Sequence, residues 1–495
     1  MKKLFRKNSD TQEHPFSAVI HHCKQSGDFI HFYKPQSPQP FWISYFSSLI
    51  DAEILHRDIL PYLNKSSLNS LEELQAVLPF ENIIITTDLE TIQNELLKGS
   101  VFIQFDEKDS AGALIPAEIN KLRQVTIPEE EYSVVGPKES FVESLTTNLN
   151  LVRNRLPIPQ LQTKEMVIGT LSKTRVAILF IEGIANEENV NTVIQRLHNL
   201  QFYQILDSSY IAQMIADNEH SIFPQLIDTE RPDRVSGALA EGDVAILVDG
   251  SPHALIGPTS LISFFSAFDD YFINWQMASA FRIIRLLAVS FSIMVTPIYV
   301  AVLTYHYELI PKDLMVTLVS SREVIPLPPF LEAFILELTI ELLREAGARL
   351  PTKVGQTIGI VGGIVIGTAA VEAGLTSNVL LIIVALAALA SFTTPVYRMG
   401  NTIRLIRFPF LLFAELWGLL GIALAFIFLI THLLSLTSLG RPYLEPIYPP
   451  RLKDLKDAFI RLPFSWQSKR PLFVQAENQQ RFIEKQEKKK NDIDE

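Results

Sequence analysis

A single cysteine, Cys23, occurs in the chain, so no intrachain disulfide can form. Stability must come from packing, and the soluble part suits a reducing compartment. The common catalytic signatures are missing too. No Gly-Lys-Ser/Thr phosphate loop, His-Glu-x-x-His or Gly-x-Ser-x-Gly occurs, which argues against an enzyme. The run His21-His22-Cys23 is a poor metal site, because three adjacent side chains diverge; it reads as a loop, and no cofactor or metal is expected. A basic stripe with interleaved aromatics is also lacking. The formal net charge is −11, so nucleic acid is not an expected partner. Lys2, Lys3 and Arg6 are followed by no apolar run, so a cleaved signal peptide is not expected.

Charge is absent where it matters most. None falls in Leu286–Tyr305, Val354–Val371, Ala373–Tyr397 or Leu416–Gly440. Each run approaches the ~20 residues a helix needs to cross a bilayer. Upstream, charges occur throughout. The expected fold class is a two-subdomain α/β soluble N-terminal region followed by an α-helical multi-pass transmembrane domain. Spans are expected at about 286–305, 354–375, 379–397 and 408–434. Pro297 lies in the first span and Glu415 in the last.

The expected organisation begins with a variable segment, 1–40, and a first α/β subdomain, 41–136. A connector helix, 137–160, leads to a second subdomain, 161–260. An interfacial aromatic helix, 261–281, the membrane bundle, 282–440, and a charged tail, 441–495, complete it. Asp88 and Asn186 precede helical patterns as caps. Pro232 and Asp233 suit a first helical turn, and Gly242 its end. Asp249-Gly250 between apolar runs signals a hairpin. Phe264, Phe265, Phe268, Tyr271, Phe272 and Trp275 read as an interfacial belt.

Two patterns suggest mechanism. Gly355, Gly359, Gly363 and Gly367 form a ladder at i+4, which permits close helix packing and, by extension, a narrow pore. Glu337, Glu341 and Glu345 share one face of an amphipathic segment, 330–349. Either that face lines a cation path, or Arg344 pairs with it and the helix lies at the membrane surface. The positive-inside rule conflicts with itself. Four spans put Arg398, Arg404 and Arg407 outside, whereas five put the basic tail outside.

Three runs carry a resemblance: Thr229–Pro258 (TERPDRVSGALAEGDVAILVDGSPHALIGP), Glu308–Val324 (ELIPKDLMVTLVSSREV) and Glu337–Gly359 (ELTIELLREAGARLPTKVGQTIG). Together with Ile181–Ile184 and the Phe408–Tyr443 region, they resemble the A subunits of GerA-type spore germination receptors over roughly residues 40–450. The signature residues are Glu230, Arg231, Pro232, Asp233, Arg234, Asp249 and Gly250. The resemblance implies a non-enzymatic subunit in the spore inner membrane, with its N-terminal domain in the spore core. It implies partnership with a transporter-like B subunit that senses the nutrient and a lipoprotein C subunit, and oligomerisation of the A subunit into an ion-conducting assembly. A secondary transporter subunit and a passive membrane scaffold are the alternative readings.

Overall fold

The computed structural model describes residues 20, 22–35, 38–65, 70–80, 82–106, 111–118, 128, 131, 135–350, 367–451, 454 and 458–481. The chain divides into two units. One comprises residues 1–219, 226–258 and 464–495; the other comprises 220–225 and 259–463.

The first unit holds two five-stranded sheets. Strands β1 (Phe29–Lys34), β2 (Phe41–Phe46), β3 (Ile84–Thr86), β4 (Ser100–Gln104) and β5 (Gly112–Pro116) pair antiparallel in the order β1-β2-β4-β5-β3. Side chains alternate across the sheet, so β4 serves two cores. Val101 and Ile103 join Phe41, Ile43, Ile59 and Leu74 on one face. Phe102 joins Phe46, Ile92, Leu96 and Cys23 on the other. The helix Leu89–Leu96 starts at Asp88, whose side chain accepts from the Thr91 amide, and Gly99 follows it at φ +97°.

The second sheet contains β6 (Leu161–Ile168), β7 (Thr174–Ile181), β8 (Ile227–Thr229), β9 (Val244–Val248) and β10 (Ala254–Gly257) in the order β6-β7-β9-β10-β8. The helix Glu187–His198 is capped by Asn186. The helix Pro232–Glu241 has proline in its first turn and ends at Gly242 in a left-handed conformation. The helix Leu145–Arg155 starts at Ser144 and buries Asn148, Asn150 and Arg153.

Three expected boundaries are corrected. The first α/β subdomain begins before residue 41, because β1 pairs with β2 from Phe29↔Phe46 to Lys34↔Phe41. His31 and Lys34 break its apolar pattern, which hides the strand from a hydropathy reading. The tail 441–495 is not simply a charged extension. Phe473 and Val474 are buried in the first unit, and the Asn186 and Asn189 amides donate to the Gln475 and Val474 carbonyls at 3.0 Å each. The regular structure at this contact is a 3-10 turn, Leu472–Val474, too short to show periodicity. Residues 261–281 form no single interfacial helix. They make two 3-10 turns, Leu261–Phe264 and Phe268–Tyr271, before Asn274 caps the long helix Trp275–Tyr305. Buried Asp270 sets this geometry, pairing with Arg282 at 3.0 Å and Arg285 at 3.2 Å.

The second unit is helical: Trp275–Tyr305, Lys312–Arg322, Pro329–Ala348, Asn378–Ser391 and Tyr397–Ser435. Two of these, Trp275–Tyr305 and Tyr397–Ser435, are long and apolar enough to cross a membrane; Asn378–Ser391 is shorter and apolar. The stretch Tyr397–Ser435 is not straight. Thr402 Oγ1 donates to the Ile222 carbonyl at 2.7 Å, and His432 Nε2 lies 2.9 Å from Ser221 Oγ. Thirty residues of unbroken helix would separate positions 402 and 432 by about 45 Å. The Phe413 and Phe428 rings also meet, with centroids 6.0 Å apart. The chain therefore reverses at Gly418, whose φ of +60° and ψ of −139° are not helical. Arms 397–417 and 419–435 form a helical hairpin, replacing the single expected span 408–434.

Candidate functional site

Contacts order the helices between two levels, a base near residues 220–225 and a tip near Gly418. Trp275–Tyr305 rises from the base, where Ser279 Oγ donates to the Arg461 carbonyl at 3.0 Å. At the tip, Tyr305 Oη donates to the Glu415 carbonyl at 2.6 Å. The break at Gly418 leaves that carbonyl without its helical donor. Pro329–Ala348 runs the other way. Glu332 sits with Ser377, which neighbours Tyr299, and Glu337 sits with Thr296.

This descending helix carries the acidic series inward. Glu337 is buried and pairs with Arg407 on the rising arm. Thr296 Oγ1 donates to Glu337 Oε1 at 2.9 Å, and Arg407 Nη2 donates to Ser292 Oγ at 2.7 Å. Arg407 also approaches the Ala387 carbonyl at 3.4 Å. One buried ion pair thus ties four helical segments. Glu341 accepts from Arg344 at 3.0 Å and lies 3.6 Å from Arg404 Nε. Glu345 pairs with Arg349 at 2.5 Å on the surface. The face therefore grades from a buried, neutralised pair to an exposed one, each glutamate with its own arginine.

A second buried carboxylate, Glu332, lies one turn nearer the tip. Its Oε1 accepts from the Ser377 amide at 2.7 Å and from Thr376 Oγ1 at 3.2 Å, and its Oε2 lies 3.4 Å from Arg322 Nη1. Glu332, Arg322 and Arg407 were not among the expected site residues. The available signal was a charge beside an apolar run, which in a membrane helix calls for a partner.

Of the glycine ladder, Gly355, Gly359 and Gly363 lie outside the described residues. Gly367 is described, and a Cβ there would meet Leu381 Cδ2 at 3.6 Å, an ordinary contact. His21 also lies outside the described residues. Of its neighbours, His22 faces Glu182 at 3.6 Å, and burial pushes the Cys23 thiol up to about 12.

The signature residues fall in the first unit. Arg231 grips Asp233 through two hydrogen bonds, at 3.1 and 2.7 Å. Arg234 pairs with Glu131, and the Phe141 amide donates to the Glu230 carbonyl at 2.7 Å. His253 lies 3.5 Å from Asp228 and 3.7 Å from Glu230. Asp249 Oδ1 accepts from the Leu145 amide at 3.1 Å, and the Gly250 amide donates to the Glu143 carbonyl at 2.8 Å. The β9–β10 turn thus clamps the start of the Leu145–Arg155 helix. These contacts are architectural: they join strands to helices within the α/β unit.

An α/β unit joined to a helical unit with membrane-length apolar helices defines a membrane-associated protein with a soluble-type domain. The family model of the Bacillus/Clostridium GerA spore germination protein matches residues 16–473, and the chain belongs to that family. Spore germination protein GerQA of Bacillus cereus is 52% identical over 97% of this chain and 96% of its own length. Spore germination protein GerIA of Bacillus cereus is 51% identical over 93% of this chain and 69% of its own. Spore germination protein A1 of Bacillus subtilis (strain 168) is 41% identical over 86% of this chain and 88% of its own.

Proposed function

We propose that this chain is the A subunit of a nutrient-sensing germination receptor in the spore inner membrane, and that several copies assemble around an ion path whose opening starts germination. Family membership carries the reading. The graded glutamate face of Pro329–Ala348 supports the ion path, because partly exposed carboxylates near a symmetric axis concentrate cations. Within that path Glu341 and Glu345 face the ions, and Glu337, neutralised by Arg407, holds the helices in register. The close-packing ladder at Gly355, Gly359, Gly363 and Gly367 brings copies together. A transporter-like B subunit and a lipoprotein C subunit complete the receptor.

The hairpin bears on topology. Counting Pro329–Ala348 and both hairpin arms as passages, together with the expected span 354–375, most of which lies outside the described residues, gives six and returns both chain ends to one side. Arg398, Arg404 and the basic tail then share the inner side with the α/β unit, which removes the conflict in the positive-inside rule. Potassium release from spores carrying Glu341→Gln or Glu345→Gln, at matched subunit abundance, tests the ion path. Slower release in these variants is expected; release at the parental rate in both refutes the role.

A further inference from the structure

The helix Lys312–Arg322 has no buried residue. It hangs on Leu318, which packs against the helical core, and on Arg322, which pairs with Glu332. The rest of its surface is open, and much of that is apolar. Leu314, Val316 and Val319 are 56%, 72% and 64% exposed, and Tyr307, Leu309 and Val324 beside them are similarly open. Charges stand only at its ends, Lys312 and Asp313 in its first turn and Arg322 in its last with Glu323 after it, leaving 314–321 uncharged.

Position decides what covers these side chains. The helix begins seven residues after Trp275–Tyr305 ends, and six residues separate it from the descending Pro329–Ala348. Both neighbours meet it at the tip level, marked by the Tyr305 contact with Glu415 and by Glu332 with Ser377. So short a link cannot carry it away from the level at which those helices end. The exposed apolar flank of Trp275–Tyr305, including Leu287 at 65%, runs toward the same level. Tyr305 and Tyr307 stand at the junction, where amphipathic rings favour the bilayer boundary.

We propose that Lys312–Arg322 is an interfacial helix whose Val316 and Val319, one turn apart on the same face, insert into the lipid headgroup boundary on the tip side of the membrane. The proposal rests on membrane insertion of the helical unit. It adds a lipid-binding surface distinct from the ion path. A helix held there stiffens the connection between two passages, because moving its apolar side chains into water is unfavourable.

Spin labels on V316C and V319C in the full chain, reconstituted in phosphatidylglycerol–phosphatidylcholine vesicles, test this. Cys23 is buried with its thiol pushed up to about 12, so it stays unlabelled. The expected result is collision with dissolved oxygen several-fold above collision with a water-soluble nickel chelate, at a depth of roughly 5–10 Å from the headgroup boundary. Strong collision with nickel at both sites places the helix in water and overturns the proposal. Exclusion of both reagents means protein covers it, a second copy or another subunit, and also overturns it. A label on L287C separates the two layers of inference. Oxygen-only collision there, with either adverse result at 316 and 319, defeats the interfacial helix alone; nickel collision at 287 defeats membrane insertion as well.

Discussion

Asp28 and Arg153 are each 1% exposed and lie 2.5 Å apart in the α/β unit. Burial alone would raise the Asp28 carboxyl, but the Arg153 charge and hydrogen bonds from Arg153, Ser26 and Ser48 outweigh it and hold it below the usual carboxylate range. A depressed folded-state value means the pair stabilises at neutral pH, and its contribution is lost as pH falls from about 4 toward that lower value. The purified protein should therefore lose thermal stability on acidification below about pH 4, and D28N should blunt that loss while costing about 3–5 kcal/mol at pH 7, because Arg153 is left buried and unpaired. A thermal melt across pH reads both effects; an unchanged D28N midpoint at pH 7 would refute the role. Two glycines make a finer comparison. Gly250 has φ +88° with nothing within 4 Å of where a Cβ would sit, so G250A should cost only backbone strain, about 1–2 kcal/mol. Gly242 has φ +103° and an added Cβ would press on Ala476 Cβ at 3.0 Å, so G242A should cost more. Denaturant midpoints rank the pair, and the reverse order would refute the packing argument.

At the scale of the element, the helical hairpin depends on Gly418 and Gly421. A Cβ at Gly418 would meet His306 Nε2 at 3.0 Å, and one at Gly421 would fall 1.8 Å from the Phe413 carbonyl oxygen, which is backbone and cannot step aside. G418A and G421A should sharply reduce the amount of subunit in spore membranes, whereas G367A, whose added Cβ meets only Leu381 at an ordinary distance, should leave it near parental. Immunoblots of membrane fractions check this; equal abundance of all three would count against the hairpin. The hairpin was not legible beforehand because its turn, Leu416-Trp417-Gly418-Leu419, contains no proline or polar cluster. In lipid an apolar turn can hide inside an apolar run, since the signal that marks a turn in water is polarity. The helix caps at Asp88 and Asn186 were legible because they act through near neighbours, accepting from the amides of Thr91 and Glu188.

For the whole molecule, the Glu337–Arg407 pair links helices 70 positions apart in sequence. E337Q should lower subunit abundance more than E345Q, because the first leaves Arg407 buried without its counter-charge and the second breaks a surface pair worth about 0–1 kcal/mol. Comparing the two by immunoblot, with E337Q alongside the R407Q variant, tests a structural role; E345Q falling further than E337Q would overturn it. Half of this site was readable. The i+4 spacing of Glu337, Glu341 and Glu345 put them on one face, but nothing local to that face pointed to Arg404 or Arg407 as partners.

The sequence by itself determined what acts over a few residues: the apolar runs, the glycine and proline punctuation, the caps, and the change from a charged α/β region to an apolar helical one. Tertiary structure alone decided which charges are paired, that the chain turns back at Gly418, that β1 completes the first sheet, and that the Leu472–Val474 turn packs into the α/β unit. Those outcomes rest on contacts between residues far apart in the chain, where periodicity carries no information. A buried charge must find a partner from whichever segment the fold brings within reach, and only the packed molecule fixes that choice.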